Sequence, residues 1–301
     1  MPLLVLALLV AAPPGTIAPL RRSCAKGDTR SCAELARRLR AGDGVPRDLR
    51  EALSVEQGGC EAGEPALCVE AGRAVLRGEG VKPDAARAQQ LFGRACNARS
   101  TAACLDLALM FQNGTGVAQD PARAVPLYDK ACSGGDPYAC SLLGDARWQG
   151  IGTAKDPRSA ERSFRRACEL ELFSGCTKLA DLLRLRGEPG ADALYRKACA
   201  ADETDACTIL DLAKGCEGRD GCRDLADLCS DYLAGYGVLA EPRLALEACE
   251  KACSGGAGEA CDNLADMYEE GEGVALDRKQ AASLRRKACE LGDRDACDAR
   301  E

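Results

Sequence analysis

The residues of this chain that can do chemistry by type and spacing are its cysteines. There are 20 among 301 residues, and there is no histidine. Cys24, Cys60, Cys96, Cys132 and Cys168 stand 36 residues apart, and each is followed eight positions later by Cys32, Cys68, Cys104, Cys140 or Cys176. The same pairing returns at Cys199/Cys207, Cys253/Cys261 and Cys289/Cys297. Thiols so arranged can ligate a metal, exchange disulfides or stay paired. Zinc sites of the usual kind leave two to four residues between paired ligands, whereas seven intervene here and Cys-x-x-Cys is absent. Neither a metal nor a cofactor is expected. Thiol exchange calls for a close pair with a depressed pKa. The nearest approach, Cys249-x3-Cys253, reads more simply as two structural disulfides ending on one helix. Structural disulfides are therefore expected, which places the chain in an oxidising compartment. Closing each nine-residue ring contributes about 2.6 kcal/mol by the loop-entropy relation, less any native strain.

A fixed period of this size marks stacked supersecondary units, and the columns show what each position is for. Three residues after Cys32, Cys68, Cys104, Cys140 and Cys261 stand Leu35, Ala71, Leu107, Leu143 and Leu264. Four after stand the small residues Ala36, Gly72, Ala108, Gly144 and Ala265, and seven after come Leu39, Val75, Phe111 and Tyr268. That spacing is one buried stripe of an α-helix. It should stop at a Gly-x-Gly loop, as at Gly42/Gly44, Gly78/Gly80, Gly114/Gly116, Gly150/Gly152, Gly235/Gly237 and Gly271/Gly273, because glycine supplies the left-handed conformation that ends helices. Four residues past the second glycine an acid (Asp48, Asp84, Asp120, Asp156, Glu241 or Asp277) is placed to cap a second helix, three times with proline following. That helix carries Ala52, Ala88, Ala124, Ala160, Ala245 or Ala281 where it presses on its partner, then Phe92, Tyr128, Phe164 or Tyr195, and ends at a cysteine. Each eight-residue pair thus clips the turn between one hairpin and the next.

Small residue, aromatic, Gly-x-Gly-Val, acid, alanine and second aromatic on a 36-residue period resemble the Sel1-like repeat, an αα-hairpin related to the tetratricopeptide repeat. With Cys-x7-Cys in nearly every unit, the chain is similar to the secreted Helicobacter cysteine-rich proteins over about residues 24–301. The resemblance implies an all-α fold, a right-handed superhelical solenoid of αα-hairpins stapled by Cys-x7-Cys disulfides. It also implies penicillin binding or a weak β-lactamase activity.

The expected organisation is a signal peptide at 1–18 and a solenoid at 19–301, irregular at about 186–222. Leu3 to Ala12 is a ten-residue apolar run followed by Pro13, Pro14 and Gly15, too short to span a bilayer and suited to a signal core, although no Lys or Arg precedes it. Within the irregular stretch Arg186-Gly187-Glu188-Pro189-Gly190 replaces the Gly-x-Gly loop, and only about one helix fits between Cys207 and Cys216. Counting back 36 from Cys253 and Cys261 lands beside Cys216 and Cys222, which are expected to form a shortened corner clip. Cys229 falls in the small-residue column and Cys249 in the second aromatic column. If an aromatic normally packs over the small residue, these two should form the one disulfide inside a hairpin.

No catalytic residue emerges. Without histidine there is no Ser-His-Asp or Cys-His arrangement. Ser23-Cys24-Ala25-Lys26 fits the Ser-x-x-Lys string of serine β-lactamases, but the Ser-Asp-Asn and Lys-Thr-Gly partners are missing. A formal charge of −7 and a pI near 5.1 argue against nucleic acid, since neutralising phosphates takes clustered Lys and Arg. What remains is a surface. In related superhelical arrays the first helices line the concave side, which would expose Arg37, Arg73, Leu109, Asp145 and Asp266, with Arg40, Leu76, Gln112, Trp148 and Glu269 beside them. Trp148, the single tryptophan, either turns inward to fill the aromatic slot or stands as a platform for a ring, sugar or side chain. The expected protein is a secreted or periplasmic monomer, without a membrane span after signal removal, that binds a protein or a cell-wall-derived, peptidoglycan-like partner. The alternative is a β-lactam-binding protein with weak hydrolase activity.

Overall fold

The computed structural model describes residues 17–212 and 218–298, with side chains from 222 onward in the second span. The chain divides into two units, Met1–Asp136 and Pro137–Glu301. The first holds α1 (Ala18–Ala25), α2 (Thr29–Ala41), α3 (Leu49–Glu61), α4 (Pro65–Arg77), α5 (Ala85–Asn97), α6 (Thr101–Asn113) and α7 (Pro121–Ser133). The second holds α8 (Pro137–Gln149), α9 (Pro157–Glu169), α10 (Phe173–Leu185), α11 (Ala191–Cys199), α12 (Thr204–Asp211), α13 (Gly218–Ala234), α14 (Pro242–Ser254), α15 (Gly258–Glu270), α16 (Arg278–Glu290) and α17 (Arg294–Asp298). Among the described residues there is no strand. The signal-peptide expectation falls largely on residues 1–16 and the Cys216/Cys222 clip on Cys216, both outside the described residues.

Each regular hairpin is built by the same three local events. The first helix ends where a glycine turns left-handed, at Gly42 (φ 75°) for α2 and Gly78 (φ 76°) for α4. The chain then returns, and the acid that begins the second helix donates its backbone N–H to a carbonyl in the last turns of the first helix. Asp48 bonds Leu39, Asp84 bonds Val75 and Asp120 bonds Phe111 at 2.8–3.1 Å; in the second unit Asp156 bonds Arg147 and Asp277 bonds Tyr268, both at 2.8 Å. The acid side chain next caps the new helix, as Asp48 accepts from Glu51 N at 2.9 Å and Asp84 from Arg87 N at 2.9 Å. Glu241 departs from this: its longer side chain makes no cap bond, and proline follows at the first helical position.

Packing inside a hairpin follows the columns. Ala52, Ala88, Ala124, Ala160, Ala245 and Ala281 are buried, and Phe92, Tyr128, Phe164 and Tyr195 are buried with them. The aromatic does sit over the small residue: a Cβ on Gly72 would lie 2.6 Å from the Phe92 ring, and one on Gly144 would collide with the Phe164 ring. Cys229 and Cys249, which occupy those two columns in the α13–α14 hairpin, are disulfide-bonded with a Cα separation of 5.0 Å. Corner clips join Cys24 to Cys32, Cys60 to Cys68 and Cys96 to Cys104 in the first unit, and Cys168 to Cys176, Cys199 to Cys207, Cys253 to Cys261 and Cys289 to Cys297 in the second. Cys132, Cys140 and Cys222 are also oxidised. Regularity fails between α10 and α13. There Gly190 (φ 104°) starts α11 without a side-chain cap, and α11 and α12 shorten to 9 and 8 residues.

Candidate functional site

The charged residues on the exposed side of the first helices are engaged with the neighbouring helix. The residue five after the second cysteine of one corner meets the residue two after the second cysteine of the next. Arg73 Nε donates to Asp106 Oδ2 at 2.8 Å in the first unit. In the second, Lys178 Nζ donates to Asp145 Oδ2 at 2.7 Å, with the sign reversed; Asn263 Nδ2 donates to Ser230 Oγ at 3.0 Å, Ser230 standing five before Gly235 as Arg73 stands five before Gly78. Burial pushes the Asp145 carboxyl up against the opposing pull of Lys178. Arg40 reaches sideways as well. Its guanidinium grips both oxygens of the buried Glu56 at 2.6 and 2.7 Å and also pairs with Glu79. Burial is the main cause that raises Glu56, and the Arg40 bonds oppose it.

Of the remaining contact candidates, Arg37 is exposed and holds Glu34 at 2.8 Å and Asp43 at 3.3 Å, and Glu34 is drawn down to about 2 by its bonds to Arg37 and Arg38. Gln112 Oε1 accepts from the Tyr128 hydroxyl at 2.7 Å. Asp266 and Glu269 both take Arg285 of α16. Leu109 is half-buried in a groove between α4 and α6 that it lines with Arg73, Leu76, Phe92, Asp106 and Met110, a space of about 250 Å³. The structure thus brings Arg73 and Leu109 together in the first unit, and Asp145 and Trp148 share one helix in the second.

Trp148 takes a third course. It is half-buried against Ala160, Phe164, Leu179, Leu182 and Leu239, and its indole N–H donates to the Ala240 carbonyl at 3.0 Å, 92 residues along the chain. The column of Phe111 and Tyr268 is held in this hairpin by Arg147, whose guanidinium donates to Ser163 Oγ at 2.9 Å. Beside this contact lies a cluster outside the expected surface. Asp181 is fully buried. Its Oδ1 accepts from the Tyr195 and Tyr232 hydroxyls at 2.7 and 2.8 Å, and its Oδ2 from Leu239 N at 2.9 Å. Burial pushes this carboxyl up to about 6 despite those three donors, and the same burial, with the Asp181 charge, raises both tyrosines. Asp181 stands five after Cys176, in the column of Arg73 and Asp145. That position was the available signal.

The repeat geometry has a counterpart in known sequences. The family model for the Sel1 repeat matches residues 29–54, 66–100, 101–136, 137–172, 220–256 and 258–293. The chain belongs to the Sel1 repeat family. The Sel1 repeat is a protein-interaction unit, and the gap in the match, 173–219, coincides with the irregular helices. Among solved structures, a protective antigen of uropathogenic Escherichia coli with an SLR fold aligns over 91% of this chain at 24% identity and TM-score 0.66. The chain spans 64% of that protein's length. A Sel1 repeat protein from Oxalobacter formigenes aligns over 94% of this chain and 78% of its own, at 22% identity and TM-score 0.54. Both show the fold. Cysteine rich protein B of Helicobacter pylori covers 43% of this chain and 93% of its own at 27% identity and TM-score 0.37. No curated protein gives a match. No helix among the described residues of this Sel1 repeat protein is long and apolar enough to cross a membrane.

Proposed function

We propose that this chain is an exported Sel1 repeat scaffold that holds a partner protein in the cell envelope through the first-helix face of its first unit. The observation that carries the reading is the groove between α4 and α6. Leu76, Phe92, Leu109 and Met110 supply its apolar lining, and Arg73, Arg77, Asp106, Asn113 and Thr115 its polar lining, with Arg73 and Asp106 as an ion pair. Apolar and polar groups side by side suit one or two aliphatic side chains of a protein together with the polar backbone around them. Export is supported by the oxidised cysteines and by the apolar run at Leu3 to Ala12.

The test is capture from envelope extract on immobilised protein, wild type against Leu109→Asp. A charge there lies in the groove and leaves the disulfides and caps untouched. Loss of a specific captured protein with Leu109→Asp supports the reading. Equal capture by both proteins places the partner elsewhere, and recovery of the natively expressed chain from the cytosol with free thiols overturns export.

A further inference from the structure

The segment Gly235–Glu241, between α13 and α14, begins as one more Gly-x-Gly loop but is fastened unlike the others. Val238 and Leu239 are fully buried, while Tyr236 at the tip is 73% exposed. Leu239 N donates to Asp181 Oδ2 on α10, and the Ala240 carbonyl accepts from Trp148 on α8. Gly237 rests on α12 so closely that a Cβ there would collide with Asp205 Oδ2. The segment is a strap laid against three helices, bonded to the Asp181 carboxylate and the Trp148 indole, with the Asp205 carboxylate lying close against Gly237.

The charges around those carboxylates are lopsided. Asp181 faces Arg184 from its own helix, the Tyr195 hydroxyl from α11, the Tyr232 hydroxyl from α13 and the Leu239 N–H of the strap. Arg184 is shared with Glu247 of α14. Asp205 faces Glu203 from the start of α12, Asp227 and Asp231 from α13 and Asp181 from α10, all of one sign. Lys178 lowers the neighbouring Glu203 and is itself paired with Asp145.

We propose that Gly235–Glu241 is a conformational strap that closes over Trp148 in acid and loosens at neutral pH, with Asp181 and Asp205 as its sensing groups. Burial holds Asp181 up at about 6 against an ordinary 3.8. Burial, then the Asp231 carboxylate, does the same for Asp205. Lifting the strap lets water reach both groups and returns them toward the ordinary carboxylate range, so the closed form holds protons more tightly than the open one. Acidification through pH 6 toward pH 4 therefore favours closure, and raising the pH above 6 withdraws that gain. Each carboxylate changes the closed-to-open ratio by on the order of tenfold between pH 7 and pH 5. Protonation leaves the fastening intact, because a carboxylic acid still accepts from Leu239 N with one oxygen while its O–H donates to a tyrosine oxygen.

The experiment uses the full chain at pH 7 and pH 5. Hydrogen exchange of the strap, corrected for the intrinsic pH dependence of exchange, reports opening, and acrylamide quenching of Trp148 reports cover, since the chain has one tryptophan. Expected are a protection factor at least tenfold higher at pH 5 and weaker quenching. Asp205→Asn should lose a large part of that rise while keeping its helical circular dichroism, and Asp181→Asn, if it folds, should lose more. Trp148→Phe, which removes the N–H and keeps a ring, should lower protection at both pH values. Protection that is equal or lower at pH 5, or a full pH response in Asp205→Asn, overturns the proposal.

Discussion

Arg73 and Asp106 lie 33 residues apart in sequence and 2.8 Å apart across adjacent first helices. The contact registers one hairpin on the next, because the two partners come from equivalent faces of consecutive units. The pair is partly exposed, so its worth is modest, about 0.5–1 kcal/mol. Exchanging the charges, Arg73→Asp with Asp106→Arg, is expected to recover most of what either single change loses. A double-mutant cycle by thermal unfolding measures the coupling, and a coupling of zero would remove the pair from any role in stacking.

Arg40 makes a sharper case. Glu56 is buried and both its oxygens rely on one guanidinium. Arg40→Ala strands that carboxylate and is expected to cost about 3–5 kcal/mol. Adding Glu56→Leu should restore most of the loss, since the buried charge goes with it. Denaturant titration of the single and double variants checks the sequence of effects.

The place of glycine under an aromatic ring can be tested at Gly72. A methyl group there meets Phe92, so Gly72→Ala is expected to destabilise by about 1–3 kcal/mol, although alanine is the better helix former. Gly72→Ala combined with Phe92→Leu should be milder than Gly72→Ala alone. An unfolding midpoint unchanged by Gly72→Ala would contradict the packing described.

The Cys229–Cys249 bond substitutes for such a pair. Its 21-residue ring contributes about 3.3 kcal/mol by the loop relation, less strain. Cys229→Ser with Cys249→Ser should therefore lower the thermal midpoint clearly. Cys229→Gly with Cys249→Phe, which restores the usual small and aromatic partners, should lower it less.

Much of the fold was legible because its determinants are local. Gly42, Asp48 and Ala52 fall within eleven residues: Gly42 ends one helix, the Asp48 side chain caps the next three positions on, and Ala52 follows one turn into it. The contacts that engage the surface were hidden for a physical reason. Arg73–Asp106 and Asp145–Lys178 do one job with opposite signs, so neither column keeps a residue type that a periodic reading can detect. Asp181 shares that column, yet its donors Tyr195, Tyr232 and Leu239 lie 14, 51 and 58 residues away. Only the shortened α11 and α12 bring them to one point. For Trp148 the sequence offers slot or platform, while its bond to Ala240 depends on a loop 92 residues on.

Each of the eight disulfides described above joins a cysteine to the very next cysteine in the chain, Cys229–Cys249 included. No such bond encloses an unmatched thiol or has to wait for a distant segment. A polypeptide oxidised from its N-terminus as it emerges therefore reaches native connectivity by marrying each thiol to its first successor. For these eight bonds disulfide shuffling is unnecessary, and oxidation in order of emergence suffices.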